Sequence, residues 1–355
     1  MRQVLRLAKR GEGRVSPNPL VGALIVKNGE IVSRGYHACF GGPHAEVNVL
    51  RGMASGSAGD ATLYVNLEPC DHHGKTPPCT ETILAAGIRR VVVGMEDPNP
   101  CVAGKGIRRL RNAGVEVVTG VLESACREIN GPYIQFITRN TPYVTLKIAQ
   151  TLDGKIALPD GRSRWITGQR SRRMVQKLRR AHDAVLVGVG TVIADDPRLT
   201  VRLSRTVQPR RIVLDSRLRI PPAARILHLP EPEKTIVVTG WDADVRKADA
   251  IRALGVQIWR ISRNTSGRID LDAFLKKAAE AGLAGILVEG GSEVFTSFLR
   301  EKRIDRMVVF TAPRVFGAGI SPFADLGIRT PDEAISFRTA RWRKMGSDLM
   351  IDARF

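Results

Sequence analysis

Within "EPCDHHGKTPPC", residues 68 to 79, two cysteines and two histidines fall together in a chain that has only 5 Cys and 6 His. Upstream, "PHAEV" sets His44 and Glu46 two positions apart. On a regular helix such residues do not share a face, so both can serve one centre only at a helix entrance, and Pro43 is placed to start a helix there. An imidazole from His44 with thiolates from Cys70 and Cys79 makes a borderline-soft donor set that suits zinc, one ion per chain. Three protein ligands leave a fourth position for water, which would make the metal a catalyst. Glu46 then has a catalytic role, because a carboxylate that is not a ligand can take a proton from that water and pass it to a leaving amine.

His-Ala-Glu followed by Pro-Cys and a second Cys is the signature of zinc deaminases that act on nucleobases. The competing reading closes the site: if His72 or His73 also bound the ion, four ligands would make a structural zinc module and leave Glu46 no water to activate. A structural site needs no carboxylate there, so His72 and His73 are expected to line the loop or contact ligand. No role is expected for Cys39, Cys101 or Cys126.

The elements that must hold these residues are legible in outline. "VGALIVKNGEIVSRGY" (21–36) reads as a hairpin around Asn28-Gly29. After it come helix-like "HAEVNVLRGM", strand-like "ATLYVNL", helix-like "CTETILAAG", the strand "RRVVVGM", the helix "GKGIRRLRNAG" and the strand "VEVVTG". A leading hairpin followed by alternating strands and helices predicts a layered α/β domain with a mixed sheet. The basic, amphipathic "MRQVLRLAKRGEGR" could pass for a transit peptide, but Val4, Leu5, Leu7 and Ala8 suit a first domain helix. Polar "RNTPY" (139–143) marks a boundary, giving domains 1–143 and 144–355. Beyond it the α/β alternation resumes, from "YVTLKIA" and "SRRMVQKLRRA" to "GILVEGG" and "RMVVFTA". "GVGT" (188–191) and "EGGS" (289–292) each follow a strand and open a helix, where backbone amides can cradle phosphate; "GVGTVI" lacks the last glycine of a dinucleotide fingerprint.

At 355 residues and 43% hydrophobic the chain is long enough for two cores. No apolar run approaches the roughly 18 residues of a membrane helix, and a sparse, odd cysteine count fits reduced thiols in the cytoplasm. Net charge is +20, with 17 Lys+Arg against 12 Asp+Glu in residues 1–143 and 38 against 23 thereafter. Such a surplus attracts either nucleic acid or small phosphorylated ligands. With 5% aromatic residues there is little for single strands to stack on, so small anions are expected and nucleic acid is not. A nucleic-acid-editing zinc deaminase with an appended basic domain is the alternative.

The chain resembles the bifunctional deaminase/reductases of riboflavin biosynthesis along essentially its whole length. In the first domain the matching stretches are "PNPLVGALIV", "GYH", "PHAEV", "LEPCDHHGKTPPC" and "EDPNPCVAGKG"; in the second they include "KIAQTLDGKIAL", "SRWITG", "ADDPRLTVR", "RIVLDS" and "VEGG". Nucleic-acid deaminases separate their two cysteines by two residues; here eight intervene, as in the riboflavin enzymes. Lys75 stands where that family usually has an arginine.

The resemblance implies a cytidine deaminase-like three-layer domain that removes the 2-amino group of a phosphoribosylated diaminopyrimidinone. Asn18, His37, Asp97 and Asn99 would contact that substrate; the residues alone favour turn chemistry beside proline for Asn18, Asp97 and Asn99, and the resemblance reverses that order. It further implies a dihydrofolate reductase-like α/β domain that uses NADPH to reduce ribosyl to ribityl. Ala149, Trp165, Thr191, Asp195, Ser216 and Gly291 would lie along the dinucleotide. Ser163, Arg179, Leu199, Arg202 and Glu289 would hold the phosphorylated substrate, with Lys147 near its sugar. The ordinary structural alternatives are a solvated helix face for Arg179, core packing for Trp165 and a loop cap for Asp195. Asp195, Glu289 and Lys147 are all open as the proton donor. Ser216, Arg217 and Arg219 would favour the 2′-phosphate of NADPH, while Asp215 at the strand end argues mildly for a free ribose. The family also implies a homo-oligomer.

Overall fold

The computed structural model describes residues 1–51, 58–73, 77–203 and 207–355, in two compact units, Met1–Thr141 and Pro142–Phe355. The first unit opens with α1 (Arg2–Ala8), then β1 (Gly22–Lys27) and β2 (Glu30–Tyr36), joined through Asn28 and Gly29, both at positive φ as a tight hairpin turn requires. It continues with α2 (Ala45–Leu50), β3 (Ala61–Val65), α3 (Cys79–Ala85), β4 (Arg90–Val93), α4 (Lys105–Asn112), β5 (Glu116–Val118), α5 (Glu123–Ile129) and α6 (Gly131–Arg139). The sheet runs β2-β1-β3-β4-β5, antiparallel at β2-β1-β3 and parallel from β3 to β5. One face of β1, β3 and β4 (Ala23, Ile25, Leu63, Val65, Val91, Val93) packs with Ala45 and Val49 of α2, Ile83 of α3 and Leu110 of α4. Leu24 points the other way and meets Val4 and Leu7 of α1. The basic N-terminal segment is thus an integral helix of the first layer.

The second unit contains β6 (Tyr143–Thr151), α7 (Gln169–Ala181), β7 (Ala184–Gly188), α8 (Val189–Asp195), β8 (Arg210–Leu214), β9 (Thr235–Thr239), α9 (Val245–Ala253), β10 (Gln257–Arg260), α10 (Leu271–Glu280), β11 (Gly285–Gly290), α11 (Ser292–Arg300), β12 (Arg306–Ala312), β13 (Thr339–Met345) and β14 (Asp348–Arg354). Among the described residues its nine strands run β10-β9-β8-β7-β11-β6-β12-β14-β13, parallel except where β14 pairs with β12 and β13. Strands such as β7 and β9 are buried at every position, because a parallel sheet is covered on both faces. On one face Leu186, Ile212 and Ile286 meet Phe274 of α10 and Phe298 of α11. On the other, Val185, Val213 and Val237 meet Ala248 and Ile251 of α9. The unit begins at Pro142, two residues ahead of the division expected from sequence, because Tyr143 N already bonds Ala284 O beside β11.

Candidate functional site

The first unit brings His44, Cys70 and Cys79 together, with their ligand atoms all within 4.8 Å of one another. His44 sits at the N-cap of α2 with extended backbone, and Glu46 lies in the first turn, which is how two residues on different helical faces approach one centre. Gly35 of β2 makes this possible: a Cβ there would lie 2.6 Å from Val49 N and 2.7 Å from Ala45 O, so only glycine admits α2 this close. Cys79 is the first residue of α3, and Cys70 follows β3 in a loop. His44 Nδ1 is 3.2 Å from Cys79 Sγ and 3.6 Å from Cys70 Sγ. Tetrahedral zinc with ordinary bond lengths spaces its nitrogen and sulfur ligands by about 3.6 Å, so the donor set fits the ion in type and in spacing.

Cys70 is drawn down to about 4 by its hydrogen bond with Cys79, with His44 adding to the effect; the thiolate is the form that binds metal. Glu46 is buried, and burial pushes its carboxyl up to about 7, with the Cys70 charge pushing the same way. A carboxyl poised there can both take and return a proton. His72 and His73 are exposed and outside the cluster, and His73 pairs with Glu81 at 3.7 Å. Cys39 and Cys101 are exposed and Cys126 is buried elsewhere. Lys75 lies outside the described residues, as do Gly52 and Met53 at the end of the helix expected from residue 44.

Around this cluster His37 is buried. Its Nδ1 donates to Pro43 O at 3.0 Å and its Nε2 accepts from Asn18 Nδ2 at 3.2 Å. Burial holds the ring below its usual range and thus neutral. Asp97 Oδ1 accepts from Asn99 N (2.9 Å) and from Tyr133 Oη (2.8 Å), and Asn99 Oδ1 accepts from Cys101 N (3.0 Å). Asp97 and Asn99 therefore perform the turn chemistry that was their alternative explanation. Three buried residues not singled out from sequence support these loops. Asn66 and Asn130 clamp the backbone of Leu20 beside Asn18, and Glu68 binds the loop after β4. Only the polar residue type of Asn66 and Asn130 and the adjacency of Glu68 to Cys70 could have flagged them.

In the second unit a cleft of about 1250 Å³ opens beyond the carboxyl ends of β7, β8 and β11, where open α/β sheets bind ligands. All twelve residues expected in the reductase site line it: Lys147, Ala149, Ser163, Trp165, Arg179, Thr191, Asp195, Leu199, Arg202, Ser216, Glu289 and Gly291. A Cβ on Gly290 would lie 2.9 Å from Thr191 Oγ1, and Gly291 has φ +90°, so this glycine pair lets β11 meet the start of α8. Trp165 is 56% exposed, with Arg172 4.7 Å over its ring, which excludes core packing. Asp195 accepts from Ser163 Oγ at 3.3 Å.

Arg179 is no solvated helix residue. Its guanidinium forks onto Glu289, Nε to Oε1 at 2.5 Å and Nη2 to Oε2 at 3.0 Å, and Nη1 donates to Thr200 O. Lys147 Nζ lies 3.3 Å from the same carboxylate. Burial alone would raise Glu289, but Arg179 and then Lys147 outweigh it and hold the carboxyl at about 2. Asp215 is fully buried and accepts from Ile220 N at 2.7 Å, so it does not face a ribose. Arg217, Arg219 and Arg268 line the cleft near Ser216.

Residues 1–95 match the model of the cytidine and deoxycytidylate deaminase zinc-binding region, and residues 142–351 match the RibD C-terminal domain. With the two sites in view, these matches define the class: a zinc-binding pyrimidine deaminase domain followed by an α/β reductase domain. Along the whole chain the relatives agree. The riboflavin biosynthesis protein RibD of Aquifex aeolicus is 48% identical, covering 99% of this chain and 96% of its own, and that of Escherichia coli is 38% identical at 99% and 97%. A Thermotoga maritima diaminohydroxyphosphoribosylaminopyrimidine deaminase/5-amino-6-(5-phosphoribosylamino)uracil reductase superposes with a TM-score of 0.87 at 38% identity, covering 100% of this chain and 97% of that one. Acinetobacter baumannii RibD gives 0.87 at 36%, covering 99% and 97%. The chain belongs to the RibD family, the bifunctional deaminase/reductases of riboflavin biosynthesis.

Proposed function

We propose that residues 1–143 carry the deaminase step with one zinc per chain and that residues 144–355 carry the reductase step with NADPH as the reductant. His44, Cys70 and Cys79 would hold the zinc, which would supply Lewis acidity to an attacking water. Glu46 accepts a proton on its carboxylate and returns it to the departing amine. Neutral His37, fixed by Pro43 through Nδ1, holds Asn18 through Nε2 and so orients the Asn18 amide toward the pyrimidine, and the loop bearing Asp97 and Asn99 forms a further wall.

In the second domain the cleft residues would hold a nicotinamide dinucleotide, which would supply the hydride. Glu289, held ionised, is not the acid; it orients the Lys147 ammonium, which donates the proton to the sugar oxygen as the ring opens. Because the Arg179 fork is engaged by Glu289, the substrate phosphate falls to Arg202, and Ser163, whose hydroxyl donates to Asp195, borders the substrate. Ala149, Trp165, Thr191, Asp195, Ser216 and Gly291 border the dinucleotide, with Leu199 beside the substrate. The observation that carries this assignment is that twelve side chains and glycines from separate segments border one basic cleft.

NADPH is favoured over NADH by Arg217 and Arg219 beside Ser216, since guanidinium groups bind phosphate bidentately. Reductase assays with both cofactors test it: kcat/KM should be at least about tenfold higher with NADPH, as expected for a charge-assisted contact, and Arg217→Ala with Arg219→Ala should narrow the gap. Equal turnover with both cofactors removes the claim. We further assign the protein to the cytoplasm as a homo-oligomer. The described cysteines are free thiols, no described helix is long and apolar enough to cross a membrane, and Trp342 and Leu349 stand exposed on the β13–β14 hairpin.

A further inference from the structure

Glu68 precedes the metal ligand Cys70 by two residues, yet its buried carboxylate is engaged by the segment that joins β4 to α4 and by the first turn of α4. Oε2 accepts from Asp97 N at 3.1 Å and Gly104 N at 2.9 Å, and Oε1 accepts from Ile107 N at 3.1 Å. Gly104 is the N-cap of α4 and has no side chain to satisfy the first-turn N–H groups, so Glu68 supplies the cap from another segment, where the helix dipole also favours an anion. The first turn of α4 lies flush on the loop that bears Cys70, since a Cβ on Gly106 would come within 1.9 Å of Pro69 O. From the far side Tyr133 of α6 donates to Asp97 Oδ1 at 2.8 Å.

We propose that Glu68 is a positioning residue of the deaminase, fixing the 97–107 loop against the Cys70 segment so that the substrate wall and the metal cluster form one rigid unit. This rests on the reading that Asp97 and Asn99 border the pyrimidine. Three N–H donors converge on two carboxylate oxygens, which suits an acceptor-only group. A glutamine must aim its NH₂ at one of those donors whichever way it is turned, so the nearly isosteric Glu68→Gln displaces the loop without emptying the core.

The test is ammonia release by the full chain, with zinc content and NADPH-dependent reduction measured on the same samples. Glu68→Gln should keep one zinc per chain and the wild-type reductase rate while KM of the pyrimidine rises about tenfold or more, the loss of one hydrogen bond to a charged group, with kcat changed far less. An unchanged KM, or zinc lost in step with activity, overturns the proposal. Should Glu68→Gln fail to fold, Tyr133→Phe releases Asp97 from the other side: a raised KM with zinc retained supports the anchoring, and an unchanged KM overturns it. Asn99→Ala separates the two possible failures. If it leaves KM unaltered, the reading of the loop as substrate wall is what falls; if it raises KM while Glu68→Gln does not, the anchoring by Glu68 falls alone.

Discussion

Cys79 is held at the start of α3 and Cys70 in the loop before it, so metal retention should depend on these thiols and His44 and not on the neighbouring imidazoles. Elemental analysis of purified protein is expected to find one zinc per chain, mostly lost in Cys79→Ser and kept in His72→Ala and His73→Ala. If the two histidine variants lose zinc as completely as Cys79→Ser, the centre is closed and the role of Glu46 collapses. The cluster could be read in the sequence because soft ligands are rare in this chain and fall at telling spacings. Arg179 shows the opposite case. Its sequence context, "KLRRA", suits a surface helix, and only the fold reveals that its partner is Glu289, 110 residues away. A buried ion pair leaves no local trace in sequence.

At the scale of elements, α7 is tied to the sheet at its C-terminal end by His182, whose Nδ1 donates to Leu178 O (2.7 Å) and whose Nε2 accepts from Thr145 Oγ1 of β6 (2.9 Å). Burial pulls this histidine down to about 4, against an ordinary value of 6.5. Below pH 6.5 the unfolded chain takes up a proton that the folded chain refuses. The resulting stability is therefore complete above pH 6.5, declines as the pH falls and is gone by about pH 4, a change on the order of 3 kcal/mol. Urea unfolding between pH 7 and 4.5 should show this decline in the second unit, and His182→Gln should flatten it. A variant with the same pH slope as the wild type rules the histidine out as the source. The strands and helices with strong apolar patterns were legible beforehand, including the Asn28-Gly29 hairpin. The β13–β14 hairpin was not, because β13 reads "TARWRKM" and exposes most of its side chains, so no buried face imposes a period of two.

For the whole molecule, the two-part organisation was legible because the patterned regions are separated by "RNTPY" and because the family motifs run from end to end. The placement of Glu68, Asn66 and Asn130 was not, since each acts on backbone that only the fold brings near. The +20 charge keeps the alternative of nucleic-acid binding open to a direct test by gel shift at physiological salt, where nonspecific contacts weaken steeply. The central claim is that two sites on one chain run separate chemistries, and Glu46→Gln tests it most directly. An amide cannot shuttle the proton, and Glu46 is not a ligand, so the variant should hold its zinc and lose deamination by about a hundredfold or more. Given already deaminated substrate and NADPH, it should reduce at the wild-type rate. A folded, zinc-loaded Glu46→Gln protein that fails at both steps, or that still releases ammonia at the wild-type rate, contradicts the account.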